Sequence, residues 1–267
     1  TTSLRGLIGL SMKVEVLTEG IHSGGASGHV PSSFRIARQL LSRLENEKTG
    51  EILIKGLHVD IPQHRIKETE NLVSILGNEV IEEFPWKNNM KPSTNDNVEG
   101  VLRRTWRPAL SIVGSDGLPP TANAGNVLRP YTTLQLSMRI PPTTDASKAK
   151  EKINSVLLDN VPYQAKVSLD FEEAACGWNA PETSSWLLEA IKKASNKYYG
   201  EDPCSIGEGG TIPFMAMLGE QFPKAQFVIT GVLGPHSNAH GPNEFLHIPF
   251  AKKLTCCISS IISDFKK

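Results

Sequence analysis

Leu134-Gln135-Leu136-Ser137-Met138-Arg139-Ile140 is the stretch from which the fold can be read. Leu134, Leu136, Met138 and Ile140 alternate with Gln135, Ser137 and Arg139, the period-two pattern of a strand with one face in a core and one in water. The same alternation recurs upstream, where Leu10, Met12, Val14 and Val16 are interleaved with Ser11, Lys13 and Glu15. Downstream it returns in Ala165, Val167, Leu169 and Phe171 against Lys166, Ser168 and Asp170, and Leu110 with Ile112 marks a further strand. Pro31 to Leu44 carries Phe34, Ala37, Leu41 and Leu44 at helical spacing, with Pro31 suited to a first turn, and a second helix is predicted from about Asp145 to Leu158. The order β-α-β-β-α-β predicts a ferredoxin-like split βαβ domain, an antiparallel sheet with both helices on one face and the other face or edge open to a partner.

Working outward, the 60 or so residues between the first helix and the second strand, about 46–106, are too many for a plain connection, so a helical insertion is expected there, with a helix near His64 to Leu76 and a polar Asn and Pro region from Asn88 to Asn97. Past Gly177 to Pro181 the pattern changes. A helix with Trp186, Leu187, Ala190, Ile191 and Ala194 leads to a Gly-rich loop opening a helix at Thr211 to Leu218. An apolar strand, Phe227 to Val232, follows, then a last helix from Ile248 to Phe265 with Leu254, Ile258, Ile261 and Phe265 on one stripe. Helix alternating with continuously apolar strand predicts a piece of a parallel α/β sheet. The chain is thus read as α/β in class, an α+β domain over 7–179 followed by part of an α/β domain over 180–267.

The bulk numbers narrow the function. In 267 residues, 28 Lys plus Arg balance 28 Asp plus Glu, which gives no electrostatic reason to expect nucleic acid or an anionic membrane and favours a small neutral or zwitterionic ligand. No apolar run approaches the length of a membrane span and Thr1 to Gly6 has no signal-peptide layout, so a cytosolic location is expected. Cys176, Cys204, Cys256 and Cys257 show neither disulfide density nor paired zinc spacing and read as ordinary thiols.

Four constellations could carry chemistry. Ile21-His22-Ser23-Gly24-Gly25 sets a histidine on a glycine loop, either an accessible functional imidazole or a surface-turn residue. Gly207-Glu208-Gly209-Gly210-Thr211 offers backbone N–H groups to an anion and a carboxylate to an amine or metal-bound water, without the lysine of a Walker loop. Gly234 to Glu244 holds His236, His240 and Glu244, where intervening Gly and Pro deny the spacing of a helical metal site and one histidine is expected as ligand; His247 reads as structural. Arg139 stands on the polar side of its strand, where a guanidinium is either solvated or clamps a carboxylate bidentately.

Taken in order, several of these features resemble one family. Arg5-Gly6, His22-Ser23-Gly24, Asn126-Val127-Leu128, Leu136-Ser137-Met138-Arg139-Ile140-Pro141, Glu208-Gly209-Gly210-Thr211-Ile212-Pro213 and Asn238-Ala239-His240 with Asn243-Glu244 are similar to the pattern of the zinc-dependent aminoacylases, glutamate carboxypeptidases and carnosinase-type dipeptidases, the MH clan of metallopeptidases. Gly50 to Leu57 resembles the long lid insertion of the carnosinase branch. The resemblance implies a lid inserted into a metal-binding catalytic domain and a homodimer formed through the lid. The implied activity is hydrolysis of a peptide or N-acyl amide bond next to a free carboxylate, with two divalent ions (zinc, or manganese or cobalt) in the complete enzyme.

By the same resemblance His240 falls on the last metal ligand. His22 falls on a lid histidine that reaches the partner's active site and steadies the oxyanion. Asn126 and Arg139 fall on lid positions engaging the substrate's carboxylate region, and Glu208, Gly209, Gly210 and Thr211 on a substrate-binding loop. The family's other metal ligands precede the lid, and this sequence starts at Thr1. His58-Val59-Asp60, Glu82-Glu83 and Glu172-Glu173 imitate the missing motifs but fall inside the lid and are not expected to bind metal. The expectation is therefore that these 267 residues alone hold no complete metal site and are inactive, the alternative being a non-catalytic dimerisation or binding module of the same descent.

Overall fold

In the computed structural model, which describes residues 1–265, the strands are β1 (Ser3–Leu4), β2 (Gly6–Glu15), β3 (Ile21–His22), β4 (Ala109–Asp116), β5 (Val127–Leu128), β6 (Tyr131–Ile140), β7 (Lys166–Phe171), β8 (Trp178–Asn179) and β9 (Gly207–Glu208). The helices that matter below are α1 (Ser33–Leu44), α2 (Gln63–Leu76), α3 (Asn97–Thr105), α4 (Ala146–Leu158), α5 (Ser185–Tyr198), α6 (Pro213–Gln221) and α7 (Ile248–Asp264). The main sheet runs β4-β6-β2-β7, antiparallel at every pairing. That is the split βαβ order expected from the alternating pattern.

Alternation becomes a core directly. Ile8, Leu10, Met12 and Val14 of β2, with Leu134, Leu136, Met138 and Ile140 of β6, face one way and are buried. They meet Ile36, Ala37, Leu40 and Leu44 of α1 and Ala146, Ala149, Ile153 and Leu157 of α4 in one cluster. Each large apolar side chain so buried contributes roughly 1.5–3 kcal/mol. The expected stripe of α1 needs rotation, because Phe34 is 41% exposed and Ile36 and Leu40 take the inward places. The helix begins at Ser33, with the Ser32 hydroxyl accepting from Arg35 N, which leaves Pro31 outside the first turn. Asp145 caps α4 through Lys148 N.

β4 carries the outer edge of the sheet, where Ile112 and Val113 are exposed and, among the described residues, no further strand pairs with it. Within the insertion, α2 and α3 enclose a small cluster of Leu72, Val80 and Val101. Arg65 of α2, 2% exposed, ties the insertion to the chain's exit from the sheet, donating to both Glu68 oxygens, to Asn179 Oδ1 and to the Ala180 carbonyl. At that exit the backbones touch: a Cβ on Gly177 would lie 2.5 Å from the Leu4 carbonyl oxygen and 2.8 Å from Gly6 N, so only glycine fits.

Beyond Gly177, α5 and α7 pack through Leu187, Ala190, Ala194, Cys257 and Ile261, while Met215 of α6 joins Leu4 and Trp178. Two expectations fail here. Phe227 to Val232 forms no strand; a strand exists by ladder pairing, and of this segment only the Ile229 carbonyl receives a bond from outside, from the Thr1 amine at 2.6 Å. Phe227 packs edge-on against Trp178 instead, and the sheet at this end is the short β8-β1-β9 with only β1 and β9 parallel. On α7 the buried residues are Cys257 and Ile261, whereas Phe265 is 58% exposed. Among the described residues no helix is long and apolar enough to cross a membrane.

Candidate functional site

Arg139 is the ninth residue of β6, on the face opposite the core. Its Nη1 donates to Thr211 Oγ1 at 3.0 Å, and that hydroxyl donates onward to the Arg5 carbonyl at 2.7 Å. Two predicted site residues 72 positions apart are thus in contact. The loop bearing Thr211 is a bend, not a helix N-terminus: α6 starts at Pro213, two residues later than expected, because Ile212 stays extended and proline takes the first helical position. The anion-binding role read from a helix end at Thr211 therefore lacks its helix end.

Arg5, absent from the predicted site residues, organises this loop. Its backbone N–H donates to the Glu208 carbonyl at 3.2 Å, and its Nε donates to the Gly209 carbonyl at 3.4 Å. Its Nη1 donates to the carbonyls of Arg103 and Arg107 at the C-terminal end of α3, both at 3.3 Å. Burial, reinforced by the charges of Arg139 and Arg104, pushes the Arg5 guanidinium down to about 10, so it stays cationic at neutral pH. Gly209 fits only as glycine, since a Cβ there would come within 2.7 Å of the Arg104 carbonyl oxygen; Gly210 has open space and Glu208 is exposed. The Arg5-Gly6 pair was visible in the sequence, but nothing local marks an arginine as the fastener of a loop two hundred residues away.

At the other end of the sheet, His22 pairs with Val127 where β3 meets β5, and Ser23 N donates to the Asn126 carbonyl at 2.9 Å. His22 is exposed on its turn. These two predicted residues lie together, but far from Arg139: Tyr131 to Arg139 along β6 is roughly 27 Å at strand rise. His240 belongs to neither group. It sits exposed with φ 61°, its backbone N–H donating to the Glu244 carboxylate. His247 caps α7, its Nδ1 accepting from Phe250 N at 3.1 Å.

His58 is held by the Ile52 carbonyl at 2.7 Å, Glu172 accepts from Gln135, and Glu83 pairs with Arg104. Among the described residues no three His, Cys, Asp or Glu side chains gather to hold a metal ion. His240 can offer one imidazole, where a zinc site needs three or four protein ligands.

Residues 2–165 match the peptidase dimerisation domain of the M20 peptidases. The chain is 26% identical over 268 residues to a cysteinylglycine-S-conjugate dipeptidase of Corynebacterium striatum, covering 94% of this chain and 55% of the relative. It is 28% identical to a Cys-Gly metallodipeptidase of Saccharomyces cerevisiae, covering 93% of this chain and 51% of the relative. The chain therefore spans about half the length of the curated relatives it matches. Among solved structures, a dipeptidase from Saccharomyces cerevisiae superposes with TM-score 0.78 at 21% identity over 100% of this chain and 56% of that one. Human carnosine dipeptidase 1 superposes with TM-score 0.73 at 20% identity over 99% and 55%. Both likenesses speak to the fold.

Proposed function

The chain belongs to the M20 peptidase-dimerisation family, and from that premise we propose that it forms the lid, residues 7–179 with the insertion over about 46–106, and the C-terminal catalytic part, residues 180–267, of a metal-dependent hydrolase that cleaves a dipeptide or N-acyl amino acid next to its free carboxylate. The observation that carries this reading is the Arg139–Thr211 contact, which sets a cation on the open sheet face against a glycine loop. A carboxylate entering between them meets the unengaged edge of the Arg139 guanidinium, an arrangement suited to paired hydrogen bonds. Glu208, exposed on the same loop, can receive the ammonium end of a dipeptide.

Two divalent ions, zinc or else manganese or cobalt, would polarise the scissile carbonyl and acidify a bound water. From this chain His240 would contribute one ligand. His22, exposed on its turn and distant from its own Arg139, would serve the partner protomer's site, donating to the oxyanion as charge develops there. Asn126, whose carbonyl accepts from Ser23 N beside His22, would engage the substrate's carboxylate region in that same partner site. The homodimer would form through the lid, whose edge strand β4 and polar sheet face are open.

The test is turnover of Cys-Gly and N-acetyl-amino acid substrates by the complete gene product with its metal bound, comparing native protein with Arg139→Ala. A second reading is a non-catalytic dimerisation or binding module of the same descent, which a complete gene product that neither binds metal nor turns over these substrates would support. The 267-residue polypeptide is expected to be inactive alone under either reading. Metal-dependent turnover by that polypeptide would overturn the expectation.

A further inference from the structure

We propose that Arg5 is a positioning residue that fastens the Glu208–Thr211 loop to the insertion helix α3, so that the insertion sets where the loop's ligand-facing groups stand. The significance for substrate rests on the reading of that loop given above; the fastening does not.

Three bonds join this one residue to the loop. The Arg5 N–H holds the Glu208 carbonyl, Nε holds the Gly209 carbonyl, and the Arg5 carbonyl receives the Thr211 hydroxyl that also carries Arg139. A fourth and fifth, from Nη1, run to Arg103 and Arg107. The Arg103 carbonyl belongs to the last turn of α3, at the negative end of its dipole, and the Arg107 carbonyl lies just past it, which lets a cation be buried there with no carboxylate partner among the described residues. Arg5 is 8% exposed, so its geometry is fixed by packing as well as by bonds. Gly209 completes the fit: its missing Cβ would stand 2.7 Å from the Arg104 carbonyl and 3.0 Å from Arg5 Nη2, so no side chain fits between loop, arginine and helix end at this point.

A general core role would make any Arg5 substitution loosen the lid as a whole. A fastening role makes the effect local to two segments far apart in sequence. The distinction is read by amide hydrogen exchange on the complete gene product. Arg5→Met is expected to speed exchange roughly tenfold in peptides spanning 207–213 and 101–108, while β2 and β6 stay within about twofold. Arg5→Lys, whose single ammonium cannot reach both acceptor sets, should recover part of the protection. Thr211→Val keeps the arginine and should loosen 207–213 but not 101–108, which leaves a readable result if Arg5→Met fails to fold.

Unchanged exchange at 207–213 in Arg5→Lys and Thr211→Val would overturn the proposal, as would acceleration spread evenly over β2 and β6. Arg139→Ala turnover tests the substrate reading separately. Exchange localised as expected together with normal turnover in Arg139→Ala would uphold the fastening and remove the substrate role.

Discussion

Arg139 and Thr211 meet across 72 residues of chain through a 3.0 Å hydrogen bond from guanidinium to hydroxyl, linking the C-terminal end of β6 on the sheet's open face to the glycine loop. Only one nitrogen of Arg139 is engaged by this bond. If the remainder receives the substrate carboxylate, Arg139→Ala in the complete protein should raise KM by roughly 10- to 100-fold, as expected for a charge-assisted bond of about 1.5–3 kcal/mol. Thr211→Val, which removes a neutral partner, should raise it only about threefold. Steady-state kinetics on a dipeptide decides the matter: an unchanged KM in Arg139→Ala would refute the assignment.

His22 and Arg139 stand at opposite ends of β6, too far apart to act on one small substrate within a protomer. If both serve catalysis, each active site must take them from different chains. Assayed with substrate well below the native KM, Arg139→Ala and His22→Ala proteins should each retain about a tenth of native activity or less, yet mixing and re-equilibrating them should restore about a quarter of it. Half of the dimers formed would be mixed, and each of those carries one intact site of two. No recovery in a mixture shown by mass spectrometry to contain mixed dimers would place the two residues in one protomer or remove one from catalysis.

The four-stranded sheet domain was legible in the sequence because a two-residue period survives wherever a sheet has one dry face. β2, β6 and β7 each announce themselves this way, and the buried set Ile8, Leu10, Met12 and Val14 is the alternation itself made solid. Phe227 to Val232 misled because apolar side chains supply no pairing partner by themselves: Val228 and Val232 are 42% and 50% exposed. The segment packs against Trp178 without a ladder. The Arg139–Thr211 contact was foreshadowed only by naming both residues. Arg5 was overlooked because its partners are backbone carbonyls, which every sequence has everywhere.

Glu99 accepts from Arg107 at 2.8 and 2.9 Å and from Arg103 at 3.1 Å. Partial burial works against its ionisation, but the bonds to Arg107 and Arg103 outweigh it and hold the carboxyl below its ordinary value of 4.5. A carboxyl depressed in the folded state adds stability that is fully present above its unfolded value and is lost as pH falls through the folded one. The window is therefore below about pH 4.5. Glu99→Gln should lower the unfolding free energy at pH 7 modestly, by less than about 1 kcal/mol for so exposed a network, seen as a lower urea midpoint, and the two proteins should converge as pH drops toward 3. Midpoints that stay apart at low pH would mean the side chain acts through packing.

Arg65 is the stronger tie, because it is 2% exposed and its donors are divided among Glu68, Asn179 and the Ala180 carbonyl. Truncation to alanine strands Asn179 and Ala180 acceptors at a place where water is largely excluded, and it frees the Glu68 charge, which remains half-buried beside Thr2. The loss expected is about 2–4 kcal/mol in urea unfolding, the low end applying because Glu68 can still be hydrated. Arg65→Lys should recover less than half, since one ammonium cannot serve three acceptors fixed by different elements. The informative readout is the shape of the transition. Arg65 joins α2 to the segment where the chain leaves the sheet, so Arg65→Ala should split one cooperative unfolding step into two, the insertion melting ahead of the β2–β6 core. A single transition with an unchanged slope would show that the insertion is held by its Leu72–Val80–Val101 cluster and by Arg5, and that the Arg65 bonds add stability without coupling.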